Sequence, residues 1–551
     1  ESPIWSPDGD RLAFFSTRGK QIGIWQMPVF GGSPKLIAAV EDGSASLRFW
    51  SKKDFIYYES KSNIFAIDAN SGQTTQITDF DSKTVNARSI SLSPDERQIA
   101  YTIVEGEFWS VWAKNLTGDT PKKLVSAATE IKNTVWHSDN QRVFYSALVD
   151  GTFQIFVTDI NGTPPKQITF AERDGLALDV SSDGTKILYG SAKEESDIWG
   201  VNLKEAKEFV VASDINSELW ANVSPDGKTI AYQSIKNLSQ GDKILNGTIL
   251  TKTLNSEEPP TELVANSFLP VFSPDGQQIA FMQVVGDKYQ IETIKATGGG
   301  QKHLTTGGIG AISHTILPYN RIQTSDFSWS PDSTKIAYLS NRSGQRNIWR
   351  VNADGSNNEQ LTSNSDANLN LSCPLWSADG KYIAFTSKTN KRMADGKLIF
   401  SVWIIDTETK NSKPLIQENL FLRLIGWSPS GNELVLASVT DSETDPLPRE
   451  VSLLQIEIET GKMRPIVVLK DTYLFNIRLA PDGKNIAFAA HREGRDNIWL
   501  MPAAGGEAKK LTANNDSRLY FSSLAWSPDN NSIFFGKQSR YSLLSMLTNF
   551  K

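Results

Sequence analysis

The chain has 551 residues, with 56 Lys and Arg against 62 Asp and Glu for a net charge of −6, and a single cysteine. This balance leaves no basic stripe to track a phosphate backbone, which argues against direct nucleic-acid binding by this segment. The lone Cys373 rules out an intrachain disulfide, and no run of eighteen apolar residues predicts a transmembrane helix.

In chain order, an apolar residue or tryptophan followed by a variant of Ser-Pro-Asp-Gly recurs at Trp5, Trp50, Leu92, Trp136, Val180, Val223, Phe272, Trp329, Trp376, Trp427, Leu479 and Trp526. The interval of about 42 to 57 residues is the period of propeller blades. The copy at Trp329 shows the unit: a turn at Ser330-Pro331-Asp332-Ser333, then apolar runs at 335–339, 347–351 and 359–362. Each run is short, rich in β-branched or aromatic residues and bounded by turn formers, so each predicts a strand, and one repeat predicts a four-stranded meander.

Within the turn, Pro sets φ and Gly supplies the left-handed residue. Glu96, Asn140, Ser333 and Asn530 replace that Gly, and slightly different turns are expected there. The ten turn carboxylates, Asp8, Asp95, Asp139, Asp183, Asp226, Asp275, Asp332, Asp379, Asp482 and Asp529, are expected to cap their own turns. Of fifteen tryptophans, seven precede a turn and six sit on the third strand (Trp25, Trp112, Trp199, Trp349, Trp403, Trp499), which predicts packing between blades rather than a binding platform.

The order Trp-Ser-Pro-Asp-Gly, Ile-Ala-Phe, Ile-Trp-Xaa-Met and Leu-Thr, cleanest at 5–37, 329–362 and 479–512, resembles the TolB-like (WD-type) β-propeller family over essentially the whole chain. The ending, Gly536 to Leu547, is similar to the tail of propellers fused to bacterial winged-helix regulators or serine/threonine kinases. The resemblance implies an all-β fold of tandem β-propellers with about twelve four-stranded blades, and a periplasmic or extracytoplasmic setting. Activity does not follow from it, since the family spans many roles.

Twelve blades exceed one ring, and the division taken from spacing is six plus six, with domains 1–266 and 267–551 and a break near Asn255 to Ser267, where Glu257-Glu258-Pro259-Pro260 interrupts the pattern. A seven-plus-five split would use the long insertion at 305–323. Closing a ring calls for an outer strand from the opposite end of its chain, and a strand upstream of Glu1 is expected on that ground.

The sequence shows no recognisable catalytic constellation. No Gly-Xaa-Ser-Xaa-Gly elbow exists, and Gly426-Trp427-Ser428-Pro429-Ser430 is a blade turn in register. Gly227-Lys228-Thr229 lacks the glycine a phosphate loop needs, Asn222 standing in its place. His137, His303, His314 and His491 have no zinc-site spacing. No cofactor or metal is expected.

Departures from the repeat point to binding, because extra loops on a rigid scaffold are where it usually resides. Three stand out: 307–323 with His314, Tyr319 and Arg321; 388–398 with Lys391 and Arg392; and 440–450 with Asp441 and Arg449. The function read from these features is a non-catalytic interaction or sensory module for a protein or peptide partner. The alternatives are a propeller enzyme or peptidase-associated gating domain using channel carboxylates, and a rigid assembly subunit.

Overall fold

The computed structural model describes the chain apart from residues 1–2, 17–21, 41–44, 82–84, 107, 119, 150–151, 171–173, 215, 236–246, 286–287, 306–326, 390–398, 419–420, 440–448, 549 and 551. Every regular element among the described residues is a β-strand, and the strands form antiparallel meanders in twelve repeats, as the all-β reading expects.

The turn chemistry explains the repeat. In eight blades the turn Ser donates its hydroxyl to the Asp two residues on, at 2.5 to 2.7 Å. All ten turn carboxylates accept the backbone N–H two residues further along, so their structural role is as expected. In the Trp136 copy His137 replaces the Ser, and its Nδ1 takes the Asp139 N–H at 3.1 Å.

The four replacements of the turn Gly do not build different turns. Glu96, Asn140, Ser333 and Asn530 hold φ of 56, 58, 62 and 60°, near the 72° of Gly227 and Gly276. Each offsets that strained conformation through its side chain, which accepts an amide from the preceding blade's turn: Glu96 from Lys52, Asn140 from Asp95, Ser333 from Asp275 and Asn530 from Asp482.

The Leu-Thr signature has a similar origin. Thr78, Thr169, Thr305, Thr362 and Thr512 accept an amide near the start of the third strand, those of Ile64, Ile155, Ile291, Ile348 and Ile498, at 2.9 to 3.0 Å. Their hydroxyls stand where strand pairing ends, and they satisfy donors that water cannot reach. Between blades, the indole N–H groups of Trp136, Trp329, Trp427 and Trp526 donate to carbonyls of the preceding inner strand, at Ser91, Val271, Leu375 and Arg478.

The chain divides into two compact units: residues 1–193 with 541–551, and residues 194–540. The first holds the meanders 4–39, 46–76, 85–127 and 131–167, followed by strand Asp174–Val180 paired with Lys186 to Ala192. Phe550 packs edge-on against Phe144 within it.

The second unit holds seven meanders. Six follow one another from 217 to 510, the fifth and sixth sharing the 17-residue strand Met463–Leu479. The seventh is composite: Leu519–Trp526 and the first part of Ser532–Thr548 are completed by the end of Lys186–Asn202 and by Lys207–Ala212. The turns form a closed circle. A Cβ on Gly276 would meet Pro225 at 3.4 Å, on Gly380 Pro331 at 3.4 Å, on Gly431 Asp379 at 3.0 Å, on Gly483 Pro429 at 2.6 Å and on Gly227 Pro528 at 3.9 Å. Ser333 and Asn530 bridge the remaining two junctions.

Spacing alone divides the repeats six and six at 266/267. The contacts run through seven blades in one ring, and residues 255–267 lie inside it. The difference arises because the closing blade draws two of its strands from residues 194–212, which the repeat count assigns to an earlier blade.

Candidate functional site

Strand direction alternates along a meander, so its connections fall at two ends of the ring. The Ser-Pro-Asp-Gly turns and the turns from third to fourth strand share one end. The hairpins from second to third strand and the links to the next blade share the other.

The described strand ends that flank all three departures from the repeat belong to that second end. Residues 307–323 lie in the link leading to Phe327–Trp329. In sequence, 388–398 comes between the second and third strands Tyr382–Thr389 and Phe400–Asp406, and 440–450 between Glu433–Val439 and Arg449–Glu457. His314, Tyr319, Arg321, Lys391, Arg392 and Asp441 lie outside the described residues. Arg449 opens its strand opposite Thr472.

The sequence reading missed the charged groups that the ring brings to the same end. Glu218 is the second residue of strand Ser217–Val223 and 1% exposed. Burial, together with the charges of Asp214 and Asp197, pushes its carboxyl up to about 8. Burial also raises Asp197, against hydrogen bonding from Ser213. A signal existed: Glu218 occupies the position taken by Ala87, Leu422 and Phe521 in other repeats, so a charge stands in an apolar slot.

Two arginines, buried Arg423 and half-buried Arg478, lie on neighbouring inner strands. Burial lowers Arg423 to about 10 and Arg478 to about 9, the Arg423 charge adding to the second shift, and both stay cationic at neutral pH. Cys373 sits near Arg423, half-buried on a bulge with φ of 56°. The same bulge recurs four residues before the turn serine at Trp220, Leu269 and Ser523, where one extra residue bends each inner strand.

At a second-to-third hairpin, His491 Nδ1 lies 2.6 Å from Asp496 Oδ1, which also accepts the Tyr473 hydroxyl at 3.0 Å. Burial raises Asp496. His303 makes a comparable 2.6 Å pair with the buried Glu292. These histidines anchor buried carboxylates, and among the described residues no group of three or more His, Cys, Asp and Glu is placed to hold a metal.

The third-strand tryptophans do not form an open aromatic platform. Arg342 lies 3.5 Å over Trp349, Lys537 4.0 Å over Trp199 and Arg492 4.2 Å over Trp499.

Residues 207–399, inside the ring, match the TolB beta propeller domain family. This stretch is TolB-like propeller sequence. The chain is 24% identical over 254 residues to the Tol-Pal system protein TolB of Francisella tularensis, covering 44% of this chain and 53% of that protein. It is 27% identical over 216 residues to dipeptidyl-peptidase 5 of Porphyromonas gingivalis, covering 37% of this chain and 29% of the relative. The chain therefore spans about half the length of the first relative and under a third of the second. Among solved structures, a putative TolB from Agrobacterium tumefaciens is similar at 18% identity, with a TM-score of 0.36, over 63% of this chain and 99% of that one. No helix among the described residues is long and apolar enough to cross a membrane.

Proposed function

We propose that this TolB-like chain is a non-catalytic interaction module, whose second ring engages a protein or peptide partner at the end carrying the long links and hairpins. One observation carries the reading: the described strand ends that flank the three insertions, those of Phe327–Trp329, Tyr382–Thr389 with Phe400–Asp406, and Glu433–Val439 with Arg449–Glu457, all open toward one end of a ring whose opposite end keeps its short capped turns. Attachment to a winged-helix regulator or a kinase is the setting suggested by the chain's last residues.

A second reading is favoured by the 27% identity to a dipeptidyl-peptidase, namely a propeller that admits peptides to a catalytic domain. The two separate by experiment. Purified chain is tested for turnover of dipeptidyl substrates, and a partner captured by the intact chain is tested against variants with residues 307–323 or 388–398 replaced by short turns. The interaction reading expects no turnover and loss of the partner in at least one shortened variant. Turnover by the chain itself, or full retention of the partner by both variants, would overturn it.

A further inference from the structure

Within the first unit, each blade after the first rests on its predecessor at the turn position that Gly fills in the repeat. Asp54 there accepts the Arg11 guanidinium at 2.8 Å, Glu96 accepts the Lys52 amide, Asn140 accepts the Asp95 amide, and a Cβ on Gly184 would collide with the His137 ring at 2.6 Å. The inner-strand tryptophans are covered from the same side. Trp50, 7% exposed, has Arg11 of the preceding blade 4.8 Å over its ring, and Trp136, 4% exposed, donates to Ser91 O of its own predecessor.

The first blade, residues 4–39, is left open on that side. Its turn glycine, Gly9, holds the same left-handed conformation at φ of 79°, yet a Cβ there would meet nothing within 4 Å, and Trp5 is 58% exposed. In the second blade the turn from third to fourth strand seats against the first, a Cβ on Gly72 lying 2.5 Å from Ile37 O. The same turn of the first blade carries Phe30, 93% exposed, where Asn70 and Asn161 stand in other blades. The sheet itself is complete, with strands Ile4–Trp5, Arg11–Ser16, Gly23–Pro28 and Lys35–Ala39. What its open side lacks is therefore a neighbouring blade, which a single added strand, joining the sheet only at its edge, cannot supply. At the other end of the row, Leu547 packs with Phe144 and Ile155 of the fourth blade, which turns Leu544 and Met546, 72% and 59% exposed, the opposite way.

We propose that the first unit is part of a ring, and that a further blade of the same repeat, carried on polypeptide N-terminal to Glu1, packs on Trp5, Gly9 and Phe30. The junctions already made specify the occupant: an inner-strand carbonyl to accept the Trp5 indole N–H, a turn to lie over Gly9, and an outer strand for the Phe30 turn to rest on. Connectivity specifies its source. Within the unit each outer strand leads into the next inner strand across three to eight residues, and Ile4–Trp5 stands where such a link delivers the chain from a preceding outer strand. This surface belongs to the first unit, so it is independent of the partner site proposed for the second ring.

The test compares the 551-residue chain with the same chain extended by about ninety residues of its natural upstream sequence, roughly two repeats. Phe30→Cys is placed in both on a Cys373→Ser background and labelled with a maleimide, with Phe170→Cys, at an 81% exposed position between the fourth and fifth blades, as the reference. Labelling at position 30 is expected to slow by about tenfold in the extended chain and to stay unchanged at position 170. Amide exchange across residues 4–9 of the unsubstituted chains is expected to slow by about the same factor, a readout that needs no substitution. Equal labelling and exchange in the two lengths, protection of the short chain that grows with its own concentration and so marks a second copy as the occupant, or an upstream sequence with no Ser-Pro-Asp-Gly-type turn within about sixty residues of Trp5 would each overturn the proposal.

Discussion

Ser333 accepts the amide hydrogen of Asp275 at 2.9 Å from a left-handed backbone position that the blade before it fills with Gly276. Two effects of similar size oppose each other there: the strain of a positive φ, about 1 to 2 kcal/mol, and a hydrogen bond between blades, about 1 kcal/mol. Ser333→Ala keeps the strain and loses the bond, so it is expected to destabilise the ring by about 1 kcal/mol. Ser333→Gly loses both and is expected to be nearly neutral. Urea midpoints of the two variants measured side by side check the ordering.

Thr512 accepts from Ile498 N–H at 2.9 Å and donates to Asn497 at 3.0 Å, both buried. Thr512→Val preserves the shape and strands the donor, at an expected cost of about 1 to 3 kcal/mol. Exchange of the Ile498 amide should accelerate before that of strands elsewhere in the ring.

Glu218 yields a pH dependence of definite sign. Its carboxyl is held at about 8 in the fold, above the ordinary value of 4.5, so the folded state binds the extra proton between those limits. Its contribution is fully present below pH 4.5 and is lost as pH rises through 8. Stability of the intact ring is therefore expected to fall by a few kcal/mol across that window, and Glu218→Gln to flatten the fall. Thermal midpoints from pH 5 to 9 for both proteins decide it; parallel curves would remove Glu218 from the account.

Trp427 donates its indole N–H to Leu375 O at 3.1 Å, linking two blades, whereas Trp5 in the equivalent slot of the first repeat is 58% exposed. Trp427→Phe is expected to cost about 1 to 2 kcal/mol from the lost bond and reduced contact. Trp5→Phe is expected to cost well under half of that, measured by denaturant titration of each variant.

The repeat was legible in the sequence because its local chemistry recurs. Ser330 with Asp332, Thr362 with the Ile348 amide, and Trp427 with Leu375 each act over a few residues or between adjacent blades, and each leaves a letter at a fixed offset. The count of blades per ring was not legible. It depends on Trp199 and Glu208 meeting Lys537, and no spacing rule joins residues so far apart in the chain. The buried charges escaped for the opposite reason: Glu218 and Arg423 do not repeat, and periodicity filters out what occurs once.

The composite blade carries a consequence for how the protein is encoded. Both covalent crossings between the ring and the remainder pass through that one blade, at 193/194 and 540/541. Topologically the ring is thus a nested cassette, inserted into its host between two neighbouring strands of one sheet, and a gene fragment spanning 194–540 would contain every strand needed to close it. Such an insert can be gained, lost or exchanged in evolution as a single event, without reopening the circle.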